Sequence, residues 1–253
     1  MGSRATAAVT ATVIGTVAVL AATGCGGDAG ASAGRAAGPT IFAAASLTQV
    51  LPAVDPDAVY SFAGSDQLAF QIEQGAVADV FASANPVHPD RLHAEGLVDR
   101  PVPFARNSLV VIVPSGNPGR IAAVRDLARP GVRLVIGDAT VPVGAYTRTV
   151  LGRLRLRAAL RNVVSEEPDV RGVVTKVVLG EADAGIAYRT DVRGQETRVR
   201  SIPIPESAQP TVTYTIATIR SSRDPAAARA FIRRLLGPEG RRALVRFGFR
   251  LPD

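Results

Sequence analysis

Apolar runs of strand length alternate with amphipathic segments of helical length along the body of the chain. The first three runs are TIFAAAS (40–46), VYSFAG (59–64) and ADVFASAN (78–85), and the segments between and after them carry polar residues at helical spacing. Alternating strand and helix patterns predict β-α-β units with parallel pairing. The hydrophobic pattern therefore favours the α/β fold class.

A second set of strands and helices begins at SLVVIVP (108–114), an aliphatic run typical of a strand buried on both faces. The pattern predicts further strands at VRLVIGD (132–138), RNVV (161–164), AGIAY (184–188) and TVTYTIATI (211–219), and helices at 121–128, 144–154, 170–179, 225–237 and 240–249. No internal repeat is present, so the chain is not a solenoid.

The first 24 residues predict a lipoprotein-type signal peptide. An uncharged stretch, 5–23, follows Arg4 and ends at Gly24-Cys25, which is typical of an export signal. A lipid on Cys25 would hold the protein at the outer face of the cytoplasmic membrane or in the periplasm. The alternatives are a plain secreted protein and a single-span anchor. Residues 25–39 are rich in Gly, Ala and Ser and predict a flexible tether.

Length, cysteine content and charge limit the number of domains, the disulfides and the partners that the protein can have. The 253 residues allow one large domain or two lobes. Cys25 is the single cysteine, so the body can form no internal disulfide. The 29 basic residues exceed 22 acidic ones, but they are scattered along the chain without a basic stripe of interleaved aromatics, which argues against a nucleic-acid partner.

The candidate binding residues lie at junctions where a strand is followed by a helix, and at the end of one strand. Free backbone N–H groups at helix starts attract anions, and in open α/β sheets such points converge at the carboxyl ends of strands. The sequence thus predicts a small, fully ionised oxyanion held by donors without any counter-charge. Each signal alone also fits an ordinary helix cap or a packing residue. The candidate positions are Ser46, Ser65, Val143, Val170 and Tyr188.

Enzyme signatures are missing from the body of the sequence. After residue 39 the sequence contains no G-x-S-x-G, G-x-G-x-x-G or Walker A run. His88 and His93 are five residues apart on a short predicted surface helix, a spacing unsuited to a shared metal, and we expect both to be solvent-exposed. Glu166 and Glu167 are adjacent and point apart. The sequence favours a binding protein that is not an enzyme and has no resident metal or cofactor.

Six segments together resemble the periplasmic molybdate-binding proteins of molybdate ABC transporters. They are FAAASL, SFAGSDQLAFQIEQGAVADVFASA, FARNSLVVIVP, VIGDATVPVGAY, PDVRGVV and GEADAGIAY, which span about residues 40 to 190. The resemblance implies a type II periplasmic-binding-protein fold, with two α/β lobes, crossing strands near 107–112 and 208–216, and a ligand cleft between the lobes. Lobe 1 would comprise 40–107 plus 213–253, and lobe 2 would comprise 108–212.

The same resemblance implies a ligand and the groups that bind it. Molybdate or tungstate would be held by the hydroxyls of Ser46, Ser65 and Tyr188 and by the backbone amides of Val143 and Val170. Molybdenum would be present only as the bound oxyanion. The protein would act as a monomer that delivers its ligand to an ABC permease in the membrane. A receptor for another tetrahedral oxyanion, sulfate or phosphate, is the alternative.

The sequence departs from the family pattern at several positions. Pro52 and Pro56 shorten the first helix, and Asn85 replaces a commoner Asp. Asp66 stands where a small or neutral residue is usual. At a helix start it suits the helix dipole, and we expect it to point outward, since a carboxylate turned inward would repel a dianion.

Overall fold

The computed structural model describes residues 38–252. The predicted signal peptide, Cys25 and most of the tether lie outside these residues and stay predictions. The elements of the described range are β1 (Thr40–Ala44), α1 (Leu51–Val54), β2 (Val59–Ala63), α2 (Ser65–Glu73), β3 (Val80–Ser83), α3 (Val87–Ala94), β4 (Val102–Asn107), β5 (Leu109–Pro114), β6 (Leu134–Gly137), α4 (Pro142–Arg153), β7 (Val163–Glu167), α5 (Val170–Val178), β8 (Ala184–Tyr188), β9 (Val199–Pro203), β10 (Val212–Thr218), α6 (Pro225–Leu236) and α7 (Pro238–Arg246).

These strands form two mixed five-stranded sheets. The first has the order β2-β1-β3-β10-β4 and the second β7-β6-β8-β5-β9. β1 pairs parallel with β2 and β3, and β10 pairs antiparallel with β3 and β4. We call the half built on the first sheet lobe 1 and the half built on the second sheet lobe 2. The α/β fold class is confirmed.

The chain passes between the two sheets twice. β4 ends in the first sheet at Asn107 and β5 begins in the second at Leu109, so Ser108 is the first crossing. The return runs from β9 to β10, across residues 204–211. Two crossings join the lobes, and the carboxyl ends of strands from both sheets meet at one cleft between them.

Helix α5 is fixed against its sheet by a face of valines. Val170, Val173 and Val177 are buried. A Cβ built on Gly185 of β8 would lie 2.8 Å from Val173 Cγ1 and 3.1 Å from Val177 Cγ2, so the helix approaches β8 closely only because residue 185 is glycine. This packing sets where the first turn of α5 points.

Several predicted elements have different bounds or character in the structure. Helix α4 begins at Pro142, two residues early, because proline favours the first helical position. Residues 121–128 form only a 3-10 turn, Val124–Ala128. The two histidines are half-buried, so the prediction of full exposure was wrong. His93 Nδ1 lies 3.1 Å from the carbonyl oxygen of Val98, a hydrogen bond that turns the ring inward.

Candidate functional site

The candidate residues from the sequence line one small pocket between the lobes, with a cavity volume of about 20 Å³. Lobe 1 contributes the turn after β1 and the start of α2. Lobe 2 contributes the starts of α4 and α5 and the last residue of β8. The structure brings all of them together, and their role in binding stays a prediction. In chain order they are Ser46, Ser65, Val143, Val170 and Tyr188.

Ser65 is not the helix cap that its place in the sequence suggests. The N-cap of α2 is Gly64, and Ser65 is the first helical residue. Its Oγ accepts a hydrogen bond from the backbone N–H of Ala84 at 3.1 Å. Because that bond uses an oxygen lone pair, the hydroxyl proton of this buried side chain remains available to the pocket.

Tyr188 brings a buried hydroxyl to the same place. The residue is only 2% exposed, and its hydroxyl oxygen has no hydrogen-bond partner within the described chain, residues 38–252. Burial raises the pKa of Tyr188 well above its ordinary value, so the phenol stays protonated and neutral. Leaving such a group unpaired costs about 1 to 3 kcal/mol, which is expected where a ligand supplies the acceptor.

The two helix starts in lobe 2 each offer one leading backbone amide. Pro142 occupies the first position of α4 and has no N–H, so Val143 carries the first amide of that helix. In α5 the cap residue Asp169 accepts from the amides of Arg171 at 2.7 Å and Gly172 at 3.2 Å. The amide of Val170 therefore remains as the donor of that turn, because first-turn amides have no acceptor within the helix.

One charged pair borders the pocket, which corrects the expectation that no charged group would line it. Asp169 is among the lining residues. Its carboxylate oxygens accept from the α5 amides and from Arg171 Nη2 at 2.9 Å, so the pair carries no net charge. Arg171 also donates from Nη2 to the carbonyl oxygen of Phe62 at 2.8 Å, a bond from lobe 2 to lobe 1.

Asp66 lies outside the pocket lining and connects the lobes. Its Oδ2 accepts from the hydroxyl of Thr140 at 2.9 Å, and the same hydroxyl lies 2.8 Å from Asp138 Oδ1. His88 is close by, where burial lowers the pKa of its ring and the Asp66 carboxylate opposes that shift. Asp66 thus contacts the other lobe, which was not foreseen from the sequence, and the expectation that its carboxylate points outward stays a prediction.

The lobes approach each other closely at Gly64. A Cβ at this position would lie 2.5 Å from the carbonyl oxygen of Pro168 and 3.2 Å from Val141 Cγ1, both in lobe 2. Since a real Cβ is essentially never found within 3.0 Å of another atom, only glycine allows this approach. The structure is therefore a closed arrangement of the two lobes.

Three polar residues around the pocket were missed by the sequence analysis. Tyr214 hydroxyl lies 2.8 Å from Ser46 Oγ, and Asn107 Nδ2 donates to Tyr214 at 3.3 Å. Asp191 lines a larger cavity on the other side of Ser46. Burial raises the pKa of Asp191 to about 7, and the N–H of Tyr188, which donates to it at 3.0 Å, acts in the opposite direction. No local pattern marks Tyr214 and Asn107 as neighbours of the pocket, because they are 107 residues apart in the chain, whereas Asp191 is three residues from Tyr188.

Comparison with known proteins shows the family. A family model described as bacterial extracellular solute-binding protein matches residues 29–250. The chain belongs to this family. Membership confirms the predicted class of binding protein and an extracytoplasmic location, while lipid attachment at Cys25 stays a prediction.

Several individual proteins that are similar to this chain are named for molybdate binding. The molybdate-binding protein ModA of Mycobacterium tuberculosis is 39% identical over 222 residues, which cover 84% of each chain. ModA of Escherichia coli is 31% identical over 226 residues, 83% of this chain and 88% of the relative. The solved structure of the Azotobacter vinelandii periplasmic molybdate-binding protein has a TM-score of 0.76 at 22% identity and covers 85% of this chain and 100% of that one. That structure shows the shared fold.

Across residues 38–252, no three His, Cys, Asp or Glu side chains are grouped so that they could hold a metal ion. Over the same residues, no helix has the length and apolar character needed to cross a bilayer.

Proposed function

We propose that this protein captures molybdate, or tungstate, outside the cytoplasm and delivers it to the membrane permease of an ABC transporter. The observation that carries the proposal is the pocket between the lobes, where hydroxyls and leading helix amides from five separate segments face one small space. Relatives that are 39% and 31% identical are named for molybdate binding, which favours this ligand over sulfate or phosphate. Molybdenum is cargo here, and the proposal includes no resident cofactor.

The chemistry of the pocket suits reversible binding of a dianion. Hydrogen bonds to a charged group contribute roughly 1.5 to 3 kcal/mol each. Four or five such bonds can offset the cost of association and give micromolar affinity, which corresponds to about 8 kcal/mol. Because the donors are neutral and belong to both lobes, the anion itself would stabilise the closed arrangement and then leave when the lobes separate.

Calorimetric titration with molybdate, tungstate, sulfate and phosphate tests the ligand. We expect saturable binding of molybdate and tungstate, and at a hundredfold excess over Kd a gain of about 2.7 kcal/mol in stability. Thermal melting should show this gain as a rise of several degrees. Equal affinity for sulfate would contradict the assignment.

Two substitutions test the site. Ser65→Ala and Tyr188→Phe each remove one donor that the closed pocket aims at the anion, so each should weaken molybdate binding at least about tenfold. The melting temperature without ligand should change little for Tyr188→Phe, because its hydroxyl has no protein partner to lose in residues 38–252. Full affinity in both variants would remove these residues from the site.

We further propose that the protein acts as a monomer tethered by a lipid on Cys25. The support is the sequence of the uncharged stretch before Gly24-Cys25 and the Gly-rich segment after it. Metabolic labelling with a fatty acid should mark the wild-type protein and not Cys25→Ser. A labelled Cys25→Ser variant would contradict the tether, and a dimer in light scattering would contradict the monomer.

A further inference from the structure

A buried chain of hydrogen bonds leads from the crossing between the lobes to the pocket. It starts at Asn107, the last residue of β4, which donates from Nδ2 to the hydroxyl oxygen of Tyr214 at 3.3 Å. It continues from Tyr214 hydroxyl to Ser46 Oγ at 2.8 Å. Tyr214 is fully buried, and Asn107 and Ser46 are nearly so. Water therefore does not replace these partners.

The direction of each bond in the chain follows from the orientation of Asn107. Its Oδ1 accepts from the backbone N–H of Ser108 at 2.9 Å, and its Nδ2 also donates to Thr190 Oγ1 at 2.8 Å. An amide nitrogen only donates, so the Tyr214 oxygen accepts from Asn107. Within residues 38–252 the remaining partner of Tyr214 is Ser46. Tyr214 must therefore donate its own proton to Ser46, since a buried hydroxyl without an acceptor is strongly disfavoured.

This direction decides what Ser46 can do in the pocket. Its oxygen accepts from Tyr214, and its proton is left to point at the anion. Ser65 is in the same situation, because its oxygen accepts from the Ala84 N–H. Tyr188 adds a protonated phenol without a protein partner in the described residues. Each hydroxyl is thus disposed to donate.

We propose that Tyr214 and Asn107 are positioning residues that hold Ser46 as an obligatory donor, and that without them Ser46 can also accept, which weakens the discrimination of the pocket against an oxyanion that still carries a proton. The inference rests on the proposed function and adds two residues outside the pocket lining to it. Hydrogen phosphate keeps one P–OH group, and that group needs an acceptor. Ser46 and Ser65 are both committed as donors, so neither serine accepts the proton of hydrogen phosphate. The Asp169 carboxylate beside the pocket already accepts from the amides of α5 and from Arg171.

Substitution of Tyr214 by phenylalanine isolates the effect, because the ring is held by packing. The ring contacts Phe249 at 5.4 Å, Tyr188 at 5.9 Å and Phe104 at 6.0 Å between centroids, all edge-on. Phenylalanine keeps these contacts and removes only the oxygen. Tyr60→Phe is the matched control, because it also removes one tyrosine hydroxyl. Tyr60 is half-buried, and its hydroxyl donates to the carbonyls of Leu51 and Asp55, away from the pocket.

The experiment measures Kd for molybdate and for phosphate by calorimetry on the wild type, Tyr214→Phe and Tyr60→Phe. Tyr214→Phe should weaken molybdate binding about tenfold, the change for one disordered hydrogen bond to a charged group. Its phosphate affinity should fall less, because the freed Ser46 can turn and accept, so the preference for molybdate shrinks. Tyr60→Phe should leave both constants unchanged. Unchanged molybdate affinity in Tyr214→Phe would overturn the inference.

A double-mutant cycle separates positioning from general destabilisation. If Tyr214 acts through Ser46, Tyr214→Phe should have no further effect on Kd in a Ser46→Ala background. Additive losses would show a structural role and refute the inference. If Tyr214→Phe does not fold, the cycle is repeated with Asn107→Ala, and additivity there refutes it equally. A wild-type protein that binds none of the anions overturns the proposed function instead, which is a separate result.

Discussion

Substitution of Gly64 by alanine is expected to hold the two lobes slightly apart at the pocket without unfolding either lobe. The added Cβ would lie 2.5 Å from the carbonyl oxygen of Pro168, whereas about 3.0 Å is the shortest distance tolerated. The lobes must then separate locally by roughly 0.5 Å, the difference between these values. The nearest obstacle is backbone, which cannot turn aside, whereas Asp66 Oδ1, 2.7 Å from the added Cβ, ends a side chain that can rotate.

The loss of affinity follows from the length of the bonds to the anion. Charge-assisted hydrogen bonds have optimal lengths of about 2.7 to 2.9 Å, and a gap of half an ångström removes much of one bond. The loss of one bond worth about 1.5 to 3 kcal/mol lowers affinity at least about tenfold. The backbone of Gly64, with φ −58° and ψ 140°, suits alanine as well as glycine. The stability of the unliganded protein should therefore not fall.

Calorimetric titration of molybdate into the wild type, Gly64→Ala and Gly116→Ala provides the assay. Gly116 is the matched control, since a Cβ there meets no atom within 4 Å. We expect a weaker Kd only for Gly64→Ala, with melting temperatures without ligand within a degree or two of the wild type. Wild-type affinity in Gly64→Ala would refute the claim that binding requires this close approach of the lobes.

Two further predictions concern the contacts around the pocket. Thr140→Val removes the hydroxyl that donates to Asp66 across the lobes, so molybdate should dissociate several-fold faster in stopped-flow measurements. Asp66→Asn keeps an acceptor oxygen and should have a smaller effect on this rate. Equal dissociation rates in the wild type and Thr140→Val would contradict the role of this contact. Asp191 has its pKa raised from 3.8 to about 7 in the folded state, so the folded protein keeps a proton that the unfolded chain releases, and stability should fall as pH rises from about 4 to 7. Above pH 7 the ionised carboxylate should also weaken binding of the dianion, and Asp191→Asn should flatten both profiles in urea unfolding and calorimetry; unchanged profiles would contradict this assignment.

The residues that the sequence could predict are those whose signal is local. A strand followed by Ser46, a strand that ends in Tyr188, or a helix that starts at Val170 is visible in a short window. Strand and helix order then brings these points to one cleft, because the carboxyl ends of the strands meet there. The short first helix was predicted for the same reason, since Pro52 acts on its own neighbours.

Contacts that join distant segments could not be predicted in this way. Ser46 and Tyr214 are 168 residues apart, and their meeting depends on the register of β10 in the first sheet. The partner of Asp66 lies in the other lobe, so its direction depended on how the lobes close. The helix cap at Asp169 is a local feature, and its position beside the pocket became visible only with the packing of α5.

A crystal structure with molybdate, phased at the molybdenum absorption edge, is the most direct measurement of how this protein holds an anion. The account requires one strong anomalous peak between the lobes, within hydrogen-bonding distance of the Tyr188 hydroxyl, the two serine hydroxyls and the amides of Val143 and Val170. A peak elsewhere on the protein, or an anion held by an arginine side chain, would contradict it.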